Sequence, residues 1–217
     1  MAKDAQIRSR LCLVTPPRHD AGELAPRLGD ALGGGDVAAL IVTGEAADPG
    51  ALQRSAEVLT PIAQRRGVAA IVLNDTRVVG RAGADGVHVD SGIDDVAAAI
   101  AAFRGARMVG AGGLASRHEA MLAGEAGPDY LFFGRLDGDS GDAIFAKAFD
   151  LAAWWSSVAV IPAVVMGART LESVEAAAAA DIAFVALSRA VWEDARGPAA
   201  AVAEACARMA AIREPVA

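Results

Sequence analysis

Short apolar runs alternate with longer segments in which apolar residues recur at mixed spacings of three and four, from one end of the chain to the other. A continuous apolar run of roughly four to eight residues suits a parallel strand buried on both faces, and three-four spacing marks a helix with one buried stripe. The pattern predicts strands over 11–15, 37–43, 68–73, 86–89, 107–110, 130–133, 158–165 and 182–187. It predicts helices over 21–32, 50–65, 75–82, 93–103, 115–125, 143–155, 170–179 and 189–212. Local punctuation agrees: Asp75, Thr170 and Ser188 stand where N-caps are expected, and Gly33-Gly34-Gly35 and Gly67 stand where helices must stop. Eight such units imply a single (β/α)8 TIM barrel, with residues 1–217 forming one domain, and a doubly wound open sheet is the alternative. In such barrels chemistry sits on the loops that follow the strand C-termini, often with a phosphate site after strands 7 and 8.

Composition narrows the class. The chain has 217 residues, 54% of them hydrophobic and only 5% aromatic, so Ala- and Val-rich helices can pack closely on a buried parallel sheet. A net charge of −7 argues against a nucleic-acid surface, which needs clustered cations to neutralise phosphates. No apolar run reaches the ~20 residues of a membrane span, and the leading MAKDAQIRSR lacks the apolar stretch of a signal peptide, so a cytoplasmic protein with no membrane partner is expected. Cys12 and Cys206, far apart, are expected to be reduced, buried thiols. A homodimer is left open.

The residues just past each predicted strand are the candidates for chemistry. After strand 3, Asn74-Asp75 could hold Mg²⁺ and a phosphate oxygen, or simply cap a helix. His88, with no second metal ligand at a sensible spacing, reads as a core residue. Asp90, Asp94 and Asp95 are either ligands or the acidic first turn that a helix dipole favours. After strand 5, Gly110-Ala-Gly-Gly lets a ligand approach the backbone or forms a plain loop, and Ser116 is a cap. Asp137, Asp139 and Asp142 after strand 6 lack the closing Glu of a calcium loop and read as a solvated loop. Gly167-Ala168 after strand 7 and Ser188-Arg189 after strand 8 form a candidate phosphate cradle of backbone N–H groups plus a guanidinium. The competing reading pairs Arg189 with Glu193 and leaves Ser188 as a cap.

Four stretches, LCLVT (11–15), LNDTRV with GADGVHV (73–89), PDYLFFG (128–134) and the run from Ile161 to Trp192, resemble the thiamine phosphate synthase and thiazole tautomerase family. The resemblance implies a protein of thiamine biosynthesis that joins a pyrimidine diphosphate to a thiazole phosphate, with Mg²⁺ helping the diphosphate leave. It implies that Asn74 and Asp75 contact diphosphate and metal, and that Gly167, Ala168 and the residues from Ala186 to Ser188 hold the thiazole phosphate.

Several positions depart from the family pattern. Where it reads Gln-x-Arg-x-Lys, this chain has Ile41, Thr43 and Glu45; the acid expected near residue 93 is Ile93, with Asp94 one place late; and a serine is replaced by Gly112. The Thr-x-Thr-Lys element is replaced by Asp137 to Asp142, and the tautomerase histidine corresponds to Arg135. Arg77, Arg81, Arg135 and Arg169 are the cations left to compensate. Three functions fit: a synthase with a rebuilt mouth, a non-catalytic or regulatory phosphate-ligand-binding barrel, and another phosphate-site barrel isomerase.

Overall fold

The computed structural model describes residues 8–45, 48 and 50–212; the leading segment 1–7, part of the stretch read for a signal peptide, lies outside them. Eight strands, β1 (Arg10–Val14), β2 (Val37–Val42), β3 (Ala69–Leu73), β4 (Gly86–Val89), β5 (Met108–Ala111), β6 (Tyr130–Phe133), β7 (Ala163–Met166) and β8 (Phe184–Leu187), close in sequence order into a parallel barrel. β8 pairs with β1, for example Leu13 with Leu187. The helices between them are α1 (Ala21–Ala31), α2 (Ala51–Gln64), α3 (Thr76–Ala82), α4 (Ile93–Phe103), α5 (Arg117–Glu125), α6 (Ala146–Val158) and α7 (Ser173–Ala179). Two more, α8 (Arg189–Trp192) and α9 (Pro198–Ala211), follow β8. None of the helices among the described residues is long and apolar enough to cross a membrane.

Strand alternation sorts the core into two clusters, which is why these runs are apolar without interruption. Leu11, Leu13, Leu40, Val42, Val72 and Phe133 point outward under the helices. Cys12, Val14, Ile41, Ile71, Phe132 and Met166 fill the barrel interior. His88 also points inward and is 1% exposed, stacked on Tyr130 at 5.8 Å between ring centroids and edge-on to Phe132 at 5.1 Å. Room for this aromatic layer comes from Gly110, where an added Cβ would lie 1.9 Å from the Tyr130 ring.

Three expectations are corrected. Strand 7 begins at Ala163 rather than at residue 158, because the apolar run from Val158 onward belongs first to the end of α6 and then to a connection in which Val160 is fully exposed. Trp155 Nε1 ties that connection down by donating to the Ile161 carbonyl at 2.8 Å. The expected helix 189–212 is broken into α8 and α9, since Gly197 adopts φ +93° and Pro198 opens α9, where its missing N–H costs nothing. Thr170 caps no helix: α7 starts at Ser173, and the Thr170 hydroxyl donates instead to the Asp142 carbonyl at 3.0 Å.

Candidate active site at the C-terminal mouth of the barrel

The strand C-termini open on a cleft of about 340 Å³ lined by Thr15, Thr43, Leu73, Asp90, Gly113 and Arg135, among others. At its β3–β4 side, Asn74 sits in the left-handed region (φ +52°), a conformation Asn tolerates better than most residues. Its backbone N–H donates to the His88 carbonyl at 2.8 Å, its Nδ2 to Asp90 Oδ1 at 2.6 Å, and its Oδ1 accepts the Asp90 N–H at 3.0 Å. The amide therefore locks the Asp90 carboxylate in place. The next residue, Asp75, accepts the N–H groups of Arg77 and Val78 through Oδ1, so the helix cap read from sequence is real. Burial pushes the Asp75 carboxyl up, but those two N–H groups and the Arg77 charge outweigh it and hold the carboxyl below its ordinary value. An ionised Asp75 with both cap bonds on Oδ1 presents Oδ2 for a further partner.

On the β1–β2 side the three positions that depart from the family pattern carry no cation. Ile41 is inside the barrel, and Thr43 is buried with its hydroxyl 2.8 Å from that of Thr15. Glu45 is exposed, with Arg18 at 3.8 Å. The four compensating cations are each committed: Arg77 to Asp75 at 3.6 Å, Arg81 to Gln53 at 2.8 Å, Arg135 to Asp137 through two contacts near 3.0 Å, and Arg169 to Glu193 at 3.3 Å.

At the β7–β8 side the structure brings Gly167, Ala168, Ser188 and Arg189 to adjoining strand ends, but most of their donors have internal acceptors. The Gly167 N–H goes to the Ala186 carbonyl at 2.8 Å, Ala168 N–H to Ser173 Oγ at 3.1 Å, and Arg169 N–H to the Gly141 carbonyl at 2.8 Å. The Arg189 N–H goes to Asp139 Oδ2 at 2.5 Å. Arg189 also pairs with Glu193 at 3.2 Å, as the spacing predicted. Ser188 precedes α8 without capping it. Asp139, read from sequence as part of a solvated loop, is instead 1% exposed, and burial, partly offset by the Arg189 N–H and charge, raises its carboxyl above the ordinary value. The loop folds inward because its own carbonyls serve donors on the β7 side. Nothing in local sequence signals that, since Asp139 and Arg189 are 50 residues apart.

The closed parallel barrel, with its ring of polar groups at the strand C-termini, defines a (β/α)8-barrel protein of the kind that handles small molecules at that end. A profile of the family described as thiamine monophosphate synthase matches residues 11–191. The thiamine-phosphate synthase of Rhodospirillum centenum is 38% identical over 204 residues, covering 90% of this chain and 95% of that protein. That of Hyphomonas neptunium is 34% identical over 203 residues, covering 90% and 91%. The chain belongs to the thiamine monophosphate synthase family. Among solved structures, thiamine phosphate pyrophosphorylase from Pyrococcus furiosus superposes with a TM-score of 0.76 at 19% identity, covering 97% of this chain and all of that one (100%). A dimeric archaeal Rubisco from Hyperthermus butylicus superposes at 0.70 and 12% identity, covering 97% and 62%. At those identities the likeness concerns the fold alone.

Proposed function

We propose that this barrel acts in thiamine biosynthesis by binding the thiazole phosphate at its β7–β8 end, in the cytoplasm, with a pyrimidine diphosphate as the second substrate and a joining reaction much slower than that of fully equipped relatives. The observation that carries this reading is the division of the mouth: the Asn74–Asp75–Asp90 group is built and ordered, while Ile41, Thr43 and Glu45 supply none of the charge a diphosphate requires. Gly167, Ala168, Ser188 and Arg189 are the phosphate-binding residues in this reading. The test is calorimetry with thiazole phosphate alongside an assay for thiamine phosphate formation. In calorimetry Arg189→Ala is expected to weaken thiazole phosphate binding by about 1–3 kcal/mol, the range for a hydrogen-bonded charge. Unchanged affinity would remove Arg189 from the site.

The donor set fits a Mg²⁺ that arrives with a diphosphate better than one held by protein alone. Asp75 offers one free carboxylate oxygen, and the described residues contain no cluster of three or more His, Cys, Asp or Glu able to hold a metal. Bound there, the ion would neutralise charge on the departing diphosphate. Asn74 would hydrogen-bond a diphosphate oxygen if its amide turned from Asp90, and Asp75, kept ionised by the α3 N-terminus, would hold the ion by Oδ2. Mg²⁺ is therefore expected to bind weakly to the protein alone and appreciably only with diphosphate present, since Mg²⁺ leans on phosphate oxygens and water. Tight Mg²⁺ binding to the free protein that survives Asp75→Asn would place the metal elsewhere. A non-catalytic binding protein is the second reading, favoured by the pairing of every nearby cation; it predicts thermal stabilisation by thiazole phosphate with no turnover.

A further inference from the structure

The β6–α6 loop, residues 134–145, reaches across the barrel mouth and places one carboxylate among the groups assigned above to phosphate. Asp139 is 1% exposed, accepts the Arg189 backbone N–H through Oδ2 at 2.5 Å, and faces Arg189 Nε through Oδ1 at 3.5 Å. Two neighbouring loop residues pin it there: the Gly141 carbonyl accepts the Arg169 N–H at 2.8 Å, and the Asp142 carbonyl accepts the Thr170 hydroxyl at 3.0 Å. The fit is incomplete. Asp139 Oδ1, Ser188 Oγ and Arg189 Nε are all buried, and none has a hydrogen-bond partner among the described residues. Buried polar atoms left unpaired are costly and call for an explanation. Oδ1 and Nε face each other across 3.5 Å without making a hydrogen bond, and the Ser188 hydroxyl has no acceptor, so the carboxylate fills the place poorly, as it would if the place were shaped for a larger group whose oxygens reach both donors.

We propose that Asp139 is an internal competitor for the ligand's phosphate, an autoinhibitory carboxylate that must leave, with its loop, before a phosphorylated ligand can engage Arg189 and Ser188. This rests on the phosphate reading of the β7–β8 end. Two anions cannot share that place, since like charges at contact distance repel in a partly desolvated site. The loop contacts that hold Asp139 therefore set how often the site is open, and the apparent affinity falls by the fraction of molecules in which it is closed.

The test titrates thiazole phosphate, with its unphosphorylated alcohol as control, into the wild-type protein, Asp139→Asn, and Thr170→Val, which keeps Asp139 and removes one loop anchor. Asp139→Asn is expected to bind thiazole phosphate at least ~10-fold more tightly than wild type, with the affinity of the alcohol unchanged. Thr170→Val should shift the phosphate affinity in the same direction by a smaller factor. If Asp139→Asn fails to fold, Thr170→Val carries the test alone. Measurable and equal affinity in wild type and variants would overturn the competitor role while leaving the phosphate site standing, and weaker binding by Asp139→Asn would make the carboxylate part of the binding machinery. Absence of phosphate-dependent binding in every protein would overturn both.

Discussion

Given hydroxymethylpyrimidine diphosphate, thiazole phosphate and Mg²⁺, the purified protein is expected to form thiamine phosphate with a kcat/KM some two to four orders of magnitude below that of a relative carrying Arg and Lys where this chain has Thr43 and Glu45. A hydrogen bond to a charged group is worth about 1.5–3 kcal/mol, so the loss of two amounts to roughly 3–6 kcal/mol, and each 1.4 kcal/mol or so is a factor of ten in rate. The cations nearest the mouth, Arg18, Arg77, Arg135 and Arg169, stand beside the carboxylates of Glu45, Asp75, Asp137 and Glu193, so each would have to exchange that partner before it could help. In the family pattern Glu45 stands where a cation meets the diphosphate, so its negative charge is expected to add to the loss. Since Glu45 is exposed, Glu45→Lys reverses that charge without disturbing the core, and it is expected to raise kcat/KM by about 10-fold. Turnover equal to that of the better-equipped relative would show that the diphosphate is held by groups other than those named here.

A second large effect comes from the barrel interior. His88 is fully enclosed by the aromatic layer, with Nδ1 hydrogen-bonded to the Tyr130 hydroxyl at 3.1 Å. Burial disfavours the imidazolium and lowers its pKa from 6.5 to about 4, against a smaller opposing pull from the Asp90 charge. The sign follows from proton counting: between pH 6.5 and about 4 the unfolded chain binds a proton that the folded chain refuses. Folding stability is therefore fully retained above pH 6.5 and falls as pH drops toward 4, by about 3 kcal/mol from this residue. Urea denaturation at a series of pH values should show that loss in the wild type and a flatter profile in His88→Gln, whose side chain does not titrate. Parallel profiles for the two proteins would mean that His88 takes up its proton within the fold.

Much of the architecture is legible in the amino-acid sequence. β4 and β6 fall on the residues the apolar runs predicted, Asp75 and Ser116 cap α3 and α5 as expected, and His88 is the core residue its isolation suggested. These are local matters, decided by alternation, periodicity and side chains that reach their own backbone two or three residues on. The errors came where apolar content ran on through a change of structure, at Val158 to Pro162, and where composition stayed helical across Gly197.

The candidate site divides in the same way. Asn74, Asp75, Gly167, Ala168, Ser188 and Arg189 could be named from the chain because each follows a strand, and in a parallel barrel every strand delivers its C-terminal residue to one rim. The charges missing at Thr43 and Glu45 were equally plain. What the chain alone determined, then, was the barrel, its family, and which positions come to the mouth, since these depend on repeating patterns over short spans. Only the tertiary structure decided which of those groups already have partners: Asn74 with Asp90, the Ala168 N–H with Ser173, and Arg189 with Asp139. Pairings of this kind depend on where distant loops come to rest once the barrel closes, and a carboxylate in a row of acidic residues carries no local mark of which one will be buried.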